Sequence, residues 1–97
     1  MLHILRDGRY SGNGFLKCSK AITSEDRLLL IENAVYLPQF SIEMLVQLNE
    51  QNRLFLLSDD VQARGLIYDD SYQLISMAQW VELTEMYTPT LTWSMSY

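Results

Sequence analysis

Two apolar runs without alternation, Leu28-Leu29-Leu30-Ile31 and Leu54-Phe55-Leu56-Leu57, constrain this chain more than any other feature. A strand with one wet face alternates apolar and polar side chains. A strand that is apolar throughout fits a parallel sheet covered by helices on both faces. The second run leads directly into Ser58-Asp59-Asp60-Val61-Gln62-Ala63-Arg64-Gly65-Leu66, which predicts a helix of about one and a half turns. Ser58 is placed to cap its start, and Asp59 and Asp60 set negative charge against the positive end of its dipole. Arg64 falls in the last turn, and Gly65 follows where a left-handed residue stops a helix.

The rest of the chain repeats this alternation of strand and helix. Leu2 to Leu5 reads as a first strand. Gly8, Gly12 and Gly14, with Asp7, Ser11 and Asn13, make a turn-rich connection. Phe15 to Ile22 reads as a helix with Phe15, Cys18 and Ile22 on one face. Arg27 to Tyr36 opens as a second strand, and Pro38 breaks the chain. Ser41 is placed to cap a helix through about Gln51, with Ile42, Leu45, Val46 and Leu48 as its apolar face. Arg53 to Leu57 is the third strand and Tyr72 to Ile75 the fourth. Ser76 and Gln79 form a capping-box pattern. The helix they open is expected to present Trp80, Val81, Thr84 and Tyr87 to the core and to end before Pro89. The fold expected is a single α/β domain, 1–97, with a mostly parallel sheet of four or five strands. Ligands of such sheets gather beyond the carboxyl ends of the strands, here Arg6–Gly14, Glu32–Tyr36, Ser58–Asp60 and Ser76–Met77.

The formal charge of −5, from seven Lys and Arg against twelve Asp and Glu, argues against direct capture of nucleic acid, which takes cationic residues for the phosphates. No apolar run is long enough to span a membrane. The opening residues lack the basic start and long apolar core of a signal peptide. A single cysteine makes no internal disulfide, so the cytoplasm is the expected compartment.

Cys18 is the one soft nucleophile. Lys17 and Lys20 flank it and favour a thiolate able to carry sulfane sulfur as a persulfide. Its place beside Phe15 and Ile22 points instead to a core cysteine, the commoner fate of this residue type. His3 points opposite Leu2 and Ile4 in its strand. Its roles would be proton donation or a buried hydrogen bond at a subunit contact, although a hydrogen-bonded core histidine is the commoner case. One His and one Cys make no zinc site, and no cofactor is expected. The glycines match neither dinucleotide nor phosphate-loop spacing and read as a flexible connection. Asp59-Asp60 suits the helix dipole and Asp69-Asp70 a polar turn, rather than a magnesium or acid–base pair. Trp80, Trp93 and six tyrosines are more than a core this small hides, which places some of them at a protein–protein contact.

Taken in order, the residues resemble the DsrH/TusB family, the smallest of the three related subunits of DsrEFH and TusBCD sulfur-relay complexes. Met1-Leu2-His3-Ile4-Leu5 is similar to the family's Leu-His-Thr-Leu opening. Asp26-Arg27-Leu28-Leu29-Leu30-Ile31-Glu32-Asn33-Ala34-Val35-Tyr36 is similar to a leucine-rich strand followed by Asp-Gly-Val-Tyr or Asp-Gly-Ile-Tyr. The sharpest match is Asp59-Asp60-Val61-Gln62-Ala63-Arg64-Gly65-Leu66, against Glu-Asp-Leu-x-Ala-Arg-Gly-Leu. Trp80-Val81-Glu82-Leu83-Thr84 is similar to Phe-Val-x-Leu-Thr, and Trp93 stands near the usual terminal tryptophan. Asn33-Ala34 replaces Asp-Gly, Ser76-Met77 stands where Asp-Tyr is frequent, and Ser94-Met95-Ser96-Tyr97 runs past Trp93.

The resemblance implies a three-layer flavodoxin-like (DsrEFH-like) fold and assembly into a heterohexamer with homologous TusC/DsrF-like and TusD/DsrE-like subunits. A TusE/DsrC-like protein would accept the sulfur. In the TusBCD branch the end product is 2-thiouridine at the tRNA wobble position; the DsrEFH branch serves sulfur oxidation. The central persulfide cysteine belongs to the TusD/DsrE-type partner, which makes this chain a non-catalytic subunit of a sulfurtransferase complex, with His3, Trp80 and Trp93 as interface residues. Cys18 falls at a position where DsrH-like chains can carry a cysteine. The alternatives are a Cys18-dependent persulfide carrier in sulfur oxidation and a stand-alone flavodoxin-like ligand-binding module.

Overall fold

The computed structural model describes residues 1–10 and 12–94. In chain order the elements are β1 (Leu2–Leu5), α1 (Asn13–Ala21), β2 (Arg27–Leu30), a 3₁₀ helix (Glu32–Phe40), α2 (Glu43–Glu50), β3 (Leu54–Leu57), α3 (Ser58–Ala63), β4 (Gln73–Ile75), α4 (Met77–Met86) and β5 (Thr90–Trp93). The strands form one sheet in the order β4-β3-β2-β1-β5, and every pairing is parallel. The build is flavodoxin-like in its three layers and parallel sheet, with a strand order of its own.

The handedness of parallel crossovers decides where the helices go. The chain steps from β1 to β2 to β3 to β4 in one direction, so its right-handed connections all fall on one face. The return from β4 across the sheet to β5 places α4 on the other face. Side chains alternate between these faces. Leu5, Leu28, Leu30, Leu54 and Leu56 join the core under α1, the 3₁₀ helix, α2 and α3, together with Phe15, Cys18, Leu45 and Val61. Leu2, Ile4, Leu29, Ile31, Phe55, Leu57 and Ile75 form the second core, which meets Leu83 of α4 with Trp80 and Tyr87 beside it. The unalternating runs are thus explained, because both faces of β2 and β3 are buried.

Several local expectations are corrected. The second strand ends at Leu30, and Glu32–Phe40 is a 3₁₀ helix with Pro38 inside it; Pro38 has no N–H to give the Val35 carbonyl, which accepts the Tyr68 hydroxyl instead. Ser41 caps nothing. Its left-handed backbone (φ 53) ends the 3₁₀ helix, and Ile42 precedes α2 without a side-chain cap. Val46 is exposed rather than on the α2 core face. Ser58 is the first residue of α3 rather than its cap, and its hydroxyl accepts from Gln62 Nε2 at 3.3 Å. Gly65 does stop that helix with φ +65. Ser76 and Gln79 form the full capping box, with N–H···O distances of 2.8 and 3.1 Å. On α4, Trp80 and Tyr87 pack on the core, whereas Val81 is 58% exposed.

Gly8, Gly12 and Gly14 are closely packed rather than loose. A side chain at Gly8 would strike the Asn33 carbonyl, so only glycine lets the β1 and β2 loops close on one another. Met95, Ser96 and Tyr97 lie outside the described residues.

Candidate functional site

At the carboxyl ends of β1 and β2, a cleft of about 320 Å³ is lined by Arg6, Asp7, Gly8, Arg9, Asn33 and Tyr36. The two sharpest family-like motifs meet at its wall. Asp60 Oδ2 accepts the Glu32 backbone N–H at 2.7 Å, which holds Glu32 in a left-handed conformation (φ 51). Arg64 donates to Asn33 Oδ1 at 3.1 Å and stands 6.0 Å over the Tyr36 ring. Asp60 therefore does more than face the helix dipole, since this carboxylate ties α3 to the turn after β2. The cations here have carboxylate partners: Arg6 pairs with Glu32, Arg9 with Asp7 at 3.1 Å, and Arg64 with Asp60 at 3.5 Å. Asp7 is a residue that sequence reasoning missed. Its carboxylate accepts the Arg9 N–H at 2.9 Å and also the Gly14 N–H, so it serves the start of α1 that Gly12 leaves without a side-chain cap. Burial works against its charge, but these bonds and Arg9 together hold its pKa below the usual carboxylate value.

His3 is fully buried. Trp93 Nε1–H donates to its Nδ1 at 3.0 Å. An indole nitrogen only donates, so Nδ1 carries the lone pair and the ring proton sits on Nε2. Nε2 in turn donates to Asp26 Oδ2 at 2.8 Å. The same carboxylate accepts the Thr23 N–H at 3.0 Å and pairs with the Met1 amino group at 3.3 Å. Burial raises the Asp26 pKa, but the His3 and Thr23 bonds outweigh it and bring the value down to about 2. Both ring nitrogens of His3 are thus engaged within the chain, and the network ties the end of β5 to β1 and to the turn before β2. Trp93 is half-buried against the same core.

Cys18 is 0% exposed. Burial first, and the Asp26 charge second, push its pKa up to about 12. The flanking Lys17 and Lys20 point to solvent and do not offset this. Among the described residues, no cluster of three or more His, Cys, Asp or Glu side chains could hold a metal ion. Asp69 accepts the Ser71 N–H at 2.9 Å, the polar turn expected there.

Beside α4 runs a groove of about 410 Å³ lined by Ile4, Met77, Trp80, Val81 and Thr84. Ile4, only 4% exposed, is its floor, and Met77 (53%) and Val81 (58%) form its open wall. Thr84 Oγ1 donates to the Val81 carbonyl at 2.6 Å, so it adds no unpaired hydroxyl. Thr90 and Thr92 are in register with Leu2 and Ile4 on this face and are exposed.

Fold and surface together define a small all-parallel α/β domain with one sheet face partly open, a buried cysteine and a closed polar network. Residues 10–89 match the family model described as DsrH like protein. Protein TusB of Yersinia enterocolitica is 39% identical over 77 residues, covering 76% of this chain and 81% of that protein. Protein TusB of Yersinia pestis and of Yersinia pseudotuberculosis are each 40% identical over 74 residues, covering 73% of this chain and 78% of theirs. The chain belongs to the DsrH/TusB family. No helix among the described residues is long and apolar enough to cross a membrane.

Proposed function

We propose that this chain is a non-catalytic assembly subunit of a cytoplasmic sulfur-relay complex that passes persulfide sulfur towards 2-thiolation of the tRNA wobble uridine. It stands beside TusC/DsrF-like and TusD/DsrE-like subunits and delivers through the complex to a TusE/DsrC-like acceptor. Family membership supports the relay, and the state of Cys18 supports the assembly role. To take sulfur, a thiolate must attack the terminal sulfur of a donor persulfide, forming a new S–S bond while the donor cysteine leaves as a thiolate. A thiol 0% exposed with a pKa of about 12 offers a thiolate fraction of only about 10⁻⁵ at neutral pH. The carrier step therefore falls to the partner's cysteine, and this chain supplies surface, with Trp80 at its centre and Trp93 bracing β5.

The test is Cys18→Ser, with Cys18→Ala beside it, in the reconstituted relay. Sulfur transfer to the acceptor should stay within about twofold of the unaltered complex. Loss of all transfer in both variants, with folding and assembly intact, would overturn the reading.

A further inference from the structure

β5 is an edge strand with a single neighbour, β1, and its last residue is held by a side-chain bond as well as by the ladder. The Trp93 indole N–H reaches His3 Nδ1 at 3.0 Å across the two strands. Their rings lie within 14° of parallel, with centroids 6.1 Å apart, which suits a bond between an in-plane lone pair and an in-plane N–H. Only one protonation state permits this bond. A neutral imidazole offers Nδ1 as an acceptor, whereas an imidazolium is a donor at both nitrogens. Protonation would set two N–H groups against each other at Nδ1, while the Nε2 bond to Asp26 would survive and gain strength from the new charge.

We propose that His3 is a pH-sensitive latch on β5: the neutral imidazole holds Trp93 in place, and the imidazolium releases it. The groups around the ring make the second state accessible. Asp26, in the turn before β2, accepts from Nε2 at 2.8 Å, and the Met1 amino group stands on its other oxygen at 3.3 Å. Asp26 keeps its charge above about pH 2, so a counter-ion is already in place when the ring takes a proton. α1, packed against β1 and β5, brings the neutral Cys18 thiol, and its Lys17 and Lys20 face solvent. Arg53, just ahead of β3, donates to the Asp26 and Thr23 carbonyls. The register partners of His3 are apolar, Leu28 on β2 and Leu91 on β5. Release frees the indole but leaves the backbone ladder, in which the Leu2 N–H reaches the Pro89 carbonyl and the Arg6 N–H the Trp93 carbonyl. The opening is therefore confined to the carboxyl end of β5, where the Arg6 bond loosens first. The latch works in the isolated chain, whatever complex it joins.

The experiment titrates the full, nitrogen-labelled chain from about pH 8 to about pH 4 by NMR. The imidazole nitrogens should show a neutral His3 with its proton on Nε2 at the upper end, then a second proton arriving at Nδ1. Protection of the Trp93 indole N–H, corrected for the intrinsic pH dependence of exchange, should fall about 5- to 10-fold with the same midpoint. The Arg6 amide should follow it. The Leu28 amide, bonded to the Arg53 carbonyl between β2 and β3, should keep its protection. Trp93→Phe removes the donor, and by reciprocity His3 should then bind its proton about 5- to 10-fold more tightly. A ring that stays neutral until the whole chain unfolds overturns the latch. So does a ring that gains its proton without change at Trp93, or one whose first proton sits on Nδ1. Loss of Leu28 protection at the same midpoint makes the event global unfolding and overturns it as well. Unchanged proton affinity in a folded Trp93→Phe chain has the same force; should that variant not fold, the titration of the unaltered chain decides alone.

Discussion

The two faces of the sheet are built from the same kind of strand residue but receive different cover. Under α1, α2, α3 and the 3₁₀ helix the core includes Leu5, Leu28, Leu30, Leu54 and Leu56. On the other face Leu2, Ile4, Leu29, Phe55 and Leu57 have α4 alone. The difference is topological. Steps in one direction stack their crossovers on one side, and a single return supplies a single helix to the other. Apolar strands thus demand two layers, and α4 buries the apolar residues of β1, β2 and β3 on its face, leaving Thr90 and Thr92 of β5 open there. On the outer side of α4 itself, Met77 and Val81 stay exposed.

The comparison breaks most readily in the core. Leu30→Ala, on the crowded face, should cost about 4 kcal/mol, and Leu29→Ala, under α4, about 3 kcal/mol, because the open face can relax into the space. Chemical denaturation of both variants gives the difference, and equal losses would show that α4 packs as rigidly as the helices opposite. The polar network on the crowded face comes next. With a folded pKa of about 2, below its unfolded value, Asp26 stabilises fully above about pH 5, and that stability is lost as pH falls through about 4 towards 2. The loss should be about 2 kcal/mol, and Asp26→Asn should remove this step from the pH profile. Helix starts give a smaller contrast. Ser76→Ala should destabilise by about 1 kcal/mol, whereas Ser58→Ala, outside any cap, should change stability by less than about 0.5 kcal/mol. Smallest of all is Val81→Ser in the isolated chain, expected within about 0.5 kcal/mol of neutral; a larger loss would mean that Val81 belongs to the core after all.

Where one segment carries its own signal, the sequence was readable. Leu28–Leu30 and Leu54–Leu57 are apolar enough to be strands in any context, Ser76 and Gln79 sit at fixed capping distance, and Gly65 takes the left-handed turn other residues avoid. Segments decided from elsewhere were not readable. Thr90-Leu91-Thr92-Trp93 is a strand because β1 offers it an edge, and its own alternation is too short to call. Ser41 and Ser58 looked like caps, but Ser41 takes the left-handed end of the 3₁₀ helix, and Ser58 already lies inside α3, which follows β3 without a turn. On α4, the spacing of Trp80, Val81 and Thr84 correctly described an apolar stripe, but not that the core would use only one side of it. The His3–Asp26–Trp93 network joins residues 23 and 90 positions apart, a distance no local pattern bridges. Nothing in the spacing of Asp7 marked it as a helix-start partner.

The pairing of β1 with β5 has a consequence for the order of events in synthesis. Of the five strands of this sheet, β1 leaves the ribosome first and receives one of its two neighbours only after β5 has emerged. Until then a row of β1 amide and carbonyl groups lies open, and His3 lacks the indole that fixes its ring. A nascent chain stopped before Thr90 therefore displays a free parallel edge beside an apolar face, the kind of surface on which growing chains capture one another. Folding of this sheet is completed by β5, and its vulnerable interval runs from the emergence of β1 to that of β5.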